Sequence, residues 1–339
     1  MVTAVPARPG AGDAAKDLAT LPKAHLHVHL EGAMRPATLT ELADRYGIAV
    51  PQIRGFGNFS AFAGMYVAAC DVLRTYDDLA RVVREVVEDN VRDGAVWVEP
   101  SLYAPHHRER LGPDEDVLAC VIEAGQAAAA EHGIGFGVMF AADRTVDAEQ
   151  AAELARVAAR WAGRGVVSFG LANDEELVGP EPFADAYRIA KDAGLLATPH
   201  AGELRGPESV IGALDLLGAD RLQHGVRAFE EPELVKRLAD SDVCLDVCPS
   251  SNLLLSVVPS LEEHPLPRLL AAGVNCSLNG DDPLLFGPNL LDEYRLSRAT
   301  LGLDDTALAQ VARSSIRYSG APAELKQDAL ARVDAWERG

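Results

Sequence analysis

Three histidines at alternate positions, in His25-Leu-His-Val-His-Leu-Glu-Gly32, are the first residues whose type and spacing could do chemistry. In an extended strand alternate side chains share a face, so His25, His27 and His29 would line one surface and Leu26, Val28 and Leu30 the other. Imidazole nitrogens bind zinc at about 2.0–2.1 Å, whereas positions four apart in a strand stand roughly 13 Å apart. One ion can therefore take His25 with His27 or His27 with His29, but hardly all three. A strand of buried, hydrogen-bonded histidines is the alternative.

Further along stand His200-Ala-Gly-Glu203, Gln223-His224-Gly225 and Asp281-Asp282-Pro283. Zinc takes nitrogen and oxygen donors, and three histidines with one carboxylate leave a position for water, whose pKa then falls from ~15.7 towards ~7. Glu203, one turn after His200, can face a substrate without touching the ion, the post of a proton shuttle. The alternative is a solvated glutamate favoured by a helix dipole. His224 can orient the attacking hydroxide and, as an imidazolium, offset charge that grows in the transition state.

Positioning such a set requires a scaffold that brings distant strand ends together. Short β-rich runs alternate with helical stretches at Ala24–Leu30, Ala95–Glu99, Ile134–Phe140, Val166–Leu171, Leu195–His200, Arg221–His224, Val243–Val247 and Val274–Leu278. Between them the periodicity predicts helices over Asp114–Glu131, Asp147–Trp161, Pro182–Ala193, Pro207–Leu217, Glu231–Asp240 and His264–Ala272. Eight βα units imply an α/β fold of the (β/α)8 TIM-barrel type, in one domain over 21–339. A doubly wound sheet is the rival, but no GxGxxG follows the first strand. The first two strands are separated by a helical insertion, with helices at Pro36–Tyr46 and Asp71–Arg92 and a loop at Arg54–Gly64. Leu291–Glu337 predicts further helices packed outside the barrel. Barrel active sites lie at the carboxyl ends of the strands. That rule selects His27 and His29 as the metal pair and leaves His25 deeper.

The 339 residues carry 31 Lys and Arg against 51 Asp and Glu, a formal charge of −20. Such a field disfavours nucleic acid and anionic membranes as partners, and no stretch approaches a transmembrane span. Five scattered cysteines without a CxxC pair argue for reduced thiols in a cytoplasmic protein. Residues 1–20, rich in Ala, Pro and Gly, read as a flexible tail and not a signal peptide. Nothing in the sequence sets an oligomeric state.

Five segments together carry a family resemblance: Pro22-Lys-Ala-His-Leu-His-Val-His-Leu-Glu-Gly-Ala33, Thr198-Pro-His-Ala-Gly-Glu203, Arg221-Leu-Gln-His-Gly225, Cys248-Pro-Ser-Ser-Asn252 and Ser277-Leu-Asn-Gly-Asp-Asp-Pro-Leu-Leu-Phe286. In this order they resemble the adenosine deaminase family of the amidohydrolase superfamily. The resemblance implies one Zn2+ per subunit on His27, His29, His200 and Asp281, with His29 also beside the substrate. It implies a small-molecule 6-aminopurine substrate whose N1 is protonated by Glu203 and whose N7 is held by Asp282, while His224 and Asp281 align hydroxide for attack at C6. The helical insertion resembles the family's lid, with Phe59, Phe62 and Met65 as lid-side candidates and a packed helix face as the alternative. Glu31 stands where the adenosine enzymes commonly have an aspartate contacting the ribose 5′-hydroxyl. Asn173 stands at a usual glycine whose backbone N–H contacts purine N3, and Ser101-Leu-Tyr-Ala-Pro105 replaces the family's Arg-Tyr-Ser-Pro. These departures bring in 6-amino-6-deoxyfutalosine deaminases and adenine deaminases as alternatives to an adenosine-type enzyme. A catalytically silent purine-binding barrel is the alternative from another class.

Overall fold

The structure is a computed structural model and describes residues 15–339. Among the described residues nine strands form: β1 Lys23–His29, β2 Ala95–Leu102, β3 Gly135–Phe136, β4 Val138–Asp143, β5 Val166–Ala172, β6 Leu196–Ala201, β7 Arg221–His224, β8 Cys244–Val247 and β9 Asn275–Leu278. All pair in parallel, in the order β1-β2-β4-β5-β6-β7-β8-β9, with β3 a short appendage on β2. The expected third strand, Ile134–Phe140, is thus broken in two. The break falls at Gly137, where a Cβ would press on Trp97 and Val167, so only glycine lets the chain pass so close.

The ring closes between its first and last staves at Asp281, three residues beyond β9. Val28 bridges Asp281, the His29 N–H donates to the Asp281 carbonyl at 2.9 Å, and the Asp281 N–H donates to the His27 carbonyl at 3.1 Å. This is the parallel α/β barrel that the alternation predicts. Leu26, Val28 and Leu30 are fully buried in the main apolar core. Charge is also buried beneath the strand ends: Arg221 pairs with Glu99 at 2.7 Å and with Asp246 at 2.9 Å.

Three helices fill the interval between β1 and β2: α1 Pro36–Tyr46, α2 Phe59–Cys70 and α3 Tyr76–Arg92. The first has the predicted limits, begun by Pro36 and ended by Gly47 in the left-handed conformation. The other two correct the expectation. Asn58 caps a helix over part of the expected loop, accepting the Ala61 N–H, and the expected helix from Asp71 starts only after a Thr75/Asp78 capping box. The remaining helices are α4 Arg108–Leu111, α5 Asp114–His132, α6 Ala148–Arg160, α7 Ala184–Asp192, α8 Pro207–Leu216, α9 Pro232–Ala239, α10 Pro249–Leu254, α11 Leu266–Ala271, α12 Pro283–Phe286, α13 Leu290–Ala299, α14 Asp305–Arg317 and α15 Ala323–Arg338.

Of the tail expected over residues 1–20, residues 1–14 lie outside the described residues. The rest packs on the body: Leu18 is buried, and Lys16 Nζ donates to the Trp336 and Glu337 carbonyls at the end of α15. Among the described residues no helix is long and apolar enough to cross a membrane.

Candidate active site

The pleat of β1 turns His27 and His29 to one side, where they meet His200 at the end of β6 and Asp281 at the barrel seam. One donor atom from each of the four lies within 4.8 Å of all the others. Asp281 Oδ1 stands 3.2 Å from both His27 Nε2 and His29 Nε2. His27 Nδ1–H donates to the Asp246 carbonyl at 3.1 Å, and His200 Nδ1–H to the Leu171 carbonyl at 3.0 Å. A carbonyl can only accept, so each ring, in the neutral form that a metal ligand must have, turns an unprotonated Nε2 into the cluster. His27 Nε2 is buried without a hydrogen-bond partner. Three imidazoles, one carboxylate and an orphaned lone pair fit a divalent cation.

His25 lies outside this cluster. Its Nε2 accepts the Gly280 N–H at 2.9 Å, which leaves Nδ1–H to donate to Asn90 Oδ1 at 2.8 Å. Both nitrogens are occupied, and the ring ties β1 to the residue before Asp281.

Three groups with chemistry to offer face the cluster. Glu203 Oε1 is 3.3 Å from His224 Nε2, which is 3.7 Å from Asp281 Oδ2. Burial, then the charges of Asp281 and Glu175, raise the Glu203 pKa well above the carboxylate range, so the acid keeps its proton. Burial alone would raise Asp281, but His27 and His29 outweigh it and hold that carboxyl ionised; its neighbour Asp282, buried and beside that charge, is raised and stays protonated. Asp282 Oδ1 has no hydrogen-bond partner and packs so closely on Gly32 that any Cβ there would collide with it. Burial and the adjacent His27 push His224 down to about 3. It is a neutral donor here, and not the imidazolium that the sequence suggested. Asn173, His224 and Asp281 all have positive φ, which concentrates backbone strain around the cluster.

The cluster forms the floor of a pocket of about 760 Å³, its open mouth included. Phe59 and Phe62 of α2 supply an apolar wall, with Ala63, Val67 and Leu255, whereas Tyr103, His106, Asp143 and Asn173 add polar groups to the lining. Met65 packs instead on the small cluster of Phe56, Phe62, Leu285 and Phe286. Asn173 lines the pocket at φ 77, and its side chain donates to Asp143, another lining residue, at 2.8 Å. Glu31 does not line the pocket. Its carboxylate accepts from Tyr66 at 2.6 Å and is bound to His107 at 2.5 Å; against the effect of burial, those contacts lower its pKa to about 2.

Several residues that sequence reasoning passed over hold these groups in place. Glu175 accepts the backbone N–H groups of Gly202, Glu203, Leu204 and Arg205, besides the Ser209 hydroxyl. Arg144 donates to the His200 carbonyl at 2.6 Å, and Asn279 Oδ1 accepts the N–H groups of Leu26 and His27 at 2.8 and 3.0 Å. Asn279 lies inside a recognised segment, Glu175 two residues after Asn173 and Arg144 in no recognised motif, and nothing in their spacing announces partners so distant in sequence.

A parallel barrel with a histidine–aspartate cluster fit to hold a metal at the carboxyl ends of its strands, and a protonated glutamate beside it, defines a metal-dependent hydrolase. More narrowly, the family model described as adenosine deaminase matches residues 22–336, and the chain belongs to the adenosine deaminase family. It is 45% identical over 340 residues to a Streptomyces virginiae protein provisionally named an adenosine/adenine deaminase, covering 96% of this chain and 99% of that one. An aminodeoxyfutalosine deaminase of Streptomyces coelicolor is 35% identical, covering 94% of this chain and 85% of its own. The crystal structure of an adenine deaminase from Arthrobacter aurescens superposes with a TM-score of 0.87 at 30% identity, covering 94% of this chain and 99% of that chain.

Proposed function

We propose that the protein hydrolytically deaminates a 6-aminopurine, adding water at C6 and releasing ammonia to leave the 6-oxo product. The observation that carries this reading is Glu203, an acid kept protonated 3.3 Å from His224 and beside the four-donor cluster. Zinc on His27, His29, His200 and Asp281 would supply a water of lowered pKa. Glu203 delivers its proton to ring N1, which draws electron density from C6 and opens it to attack. The His224 Nε2–H donates a hydrogen bond to the incoming oxygen. Protonated Asp282, whose side chain lines the pocket, donates to N7, and the Phe59 and Phe62 wall excludes competing water.

The first reading of the substrate is an adenosine-type nucleoside giving an inosine-type product. A second reading, free adenine, is supported by Glu31, whose carboxylate is already engaged by Tyr66 and His107 and so is not free for a ribose 5′-hydroxyl. The test is ammonia release by zinc-loaded protein on adenosine, 2′-deoxyadenosine, adenine, 5′-modified adenosines and 6-amino-6-deoxyfutalosine, ranked by kcat/KM. Turnover of at least one is expected. Well-folded, zinc-loaded protein inactive on all of them rejects the deaminase reading, and adenosine turned over faster than adenine rejects the free-base reading.

A further inference from the structure

Asn252 and His264 take no part in the reaction above, yet they form an unbroken hydrogen-bonded line to His224. His264 stands just before α11, and its Nδ1 accepts the Leu266 backbone N–H at 3.1 Å. A backbone amide can only donate, so the proton of the neutral ring is on Nε2. That Nε2–H meets Asn252 Oδ1 at 3.2 Å. The contact orients the Asn252 amide and turns its Nδ2 to His224 Nδ1, at 3.1 Å. An amide nitrogen also only donates, so His224 Nδ1 is an acceptor and its proton sits on Nε2, facing Glu203 and Asp281. A single backbone N–H thus sets the direction of every hydrogen bond along the line.

The line is built to be rigid. His264, Asn252 and His224 are all buried. Asn252 lies on α10, where its N–H donates to the Cys248 carbonyl at 3.0 Å and its carbonyl accepts the N–H groups of Val257 and Val258 at 2.8 and 3.1 Å. Burial lowers the His264 pKa to about 4, which keeps that ring neutral at neutral pH. The direction matters because His224 Nε2 is close enough to Glu203 and Asp281 to complete a further donor group with them. A ring with its lone pair on Nε2 would compete for a cation instead of donating to an oxygen.

We propose that Asn252 and His264 are positioning residues that hold His224 in its Nε2–H tautomer, so that the ring offers the pocket a donor and not a ligand. The catalytic consequence rests on the deaminase reading, whereas the tautomer itself does not. Long-range proton–nitrogen spectra of the full chain labelled with nitrogen-15 histidine report which His224 nitrogen is protonated, the resonance being assigned by its loss in His224→Gln. Wild-type protein is expected to carry the proton on Nε2 alone. In Asn252→Asp the carboxylate replaces a donor by an acceptor of the same shape. His224 then gains a proton on Nδ1, and kcat falls on the order of 100-fold with metal content unchanged. His264→Phe is expected to lower kcat, and His264→Gln, whose amide can accept from Leu266 and donate to Asn252, to return it to within about threefold of wild type. An unprotonated Nε2 in wild type, an unchanged His224 spectrum in Asn252→Asp, or a Gln variant no better than Phe overturns the proposal. An Nε2–H signal in a protein that releases no ammonia supports the tautomer assignment and rejects the deaminase reading alone.

Discussion

In the proposed reaction, Glu203 is the residue that separates a catalytic barrel from one that only binds. Its carboxyl is protonated because burial and the Asp281 charge penalise the anion, so the group is an acid at neutral pH, as delivery of a proton to a ring nitrogen requires. Glu203→Gln keeps shape and hydrogen bonding but removes the proton. We expect unchanged metal content with kcat lowered by about 10²–10⁴, checked by metal analysis beside steady-state kinetics; retained turnover rejects the shuttle role. The residues of this cluster were legible in the sequence because each lies at or just beyond a strand end, where a barrel collects its side chains. Asn252, His264 and Glu175 were not, because their importance lies in a partner that only the closed fold brings near.

Among the elements, the connection from β6 to α8 carries Glu203, and Glu175 holds it by accepting four consecutive backbone N–H groups, those of residues 202 to 205. In Glu175→Gln one accepting oxygen becomes an NH2 pointed at donors, which costs roughly 1–3 kcal/mol. The substitution also removes a negative charge that helps to raise the Glu203 pKa. The sign follows: with that charge gone the Glu203 pKa falls, its proton is lost at lower pH, and the basic limb of kcat/KM moves to lower pH. A pH–rate profile of the variant checks this, and an unmoved basic limb contradicts it. Elements whose amphipathic period or cap is plain, such as α1 and α5, were legible to within a residue or so. The helix α2 was not, since Phe59-Ser-Ala-Phe-Ala-Gly-Met-Tyr-Val-Ala-Ala-Cys70 is apolar almost all round. One side faces the pocket and another the Phe286 cluster, which leaves no polar face to set a period.

In the whole molecule, the four-donor cluster proposed to hold the metal coincides with the joint that closes the barrel. His27 and His29 end the first stave, and Asp281 follows the last. The same three residues exchange the backbone hydrogen bonds of the seam, reinforced by His25 on Gly280 and Asn279 on Leu26 and His27. A cation bound across this joint would therefore stabilise the entire ring and not only the pocket. Free ion at about 1,000 times its Kd contributes about 4 kcal/mol, equivalent to a Tm shift on the order of 5 °C for a chain of this length. Calorimetry before and after chelation, then after zinc is restored, should show that loss and its recovery. Hydrogen exchange should rise first in β1 and β9, the strands on either side of the seam. His27→Ala should show the low Tm of stripped protein and no response to zinc. His25→Ala should keep the zinc response, because neither nitrogen of His25 is turned to the cluster. A chelated protein that melts at the wild-type temperature, or equal loss of the zinc response in both variants, would show that the ion does not bridge the joint.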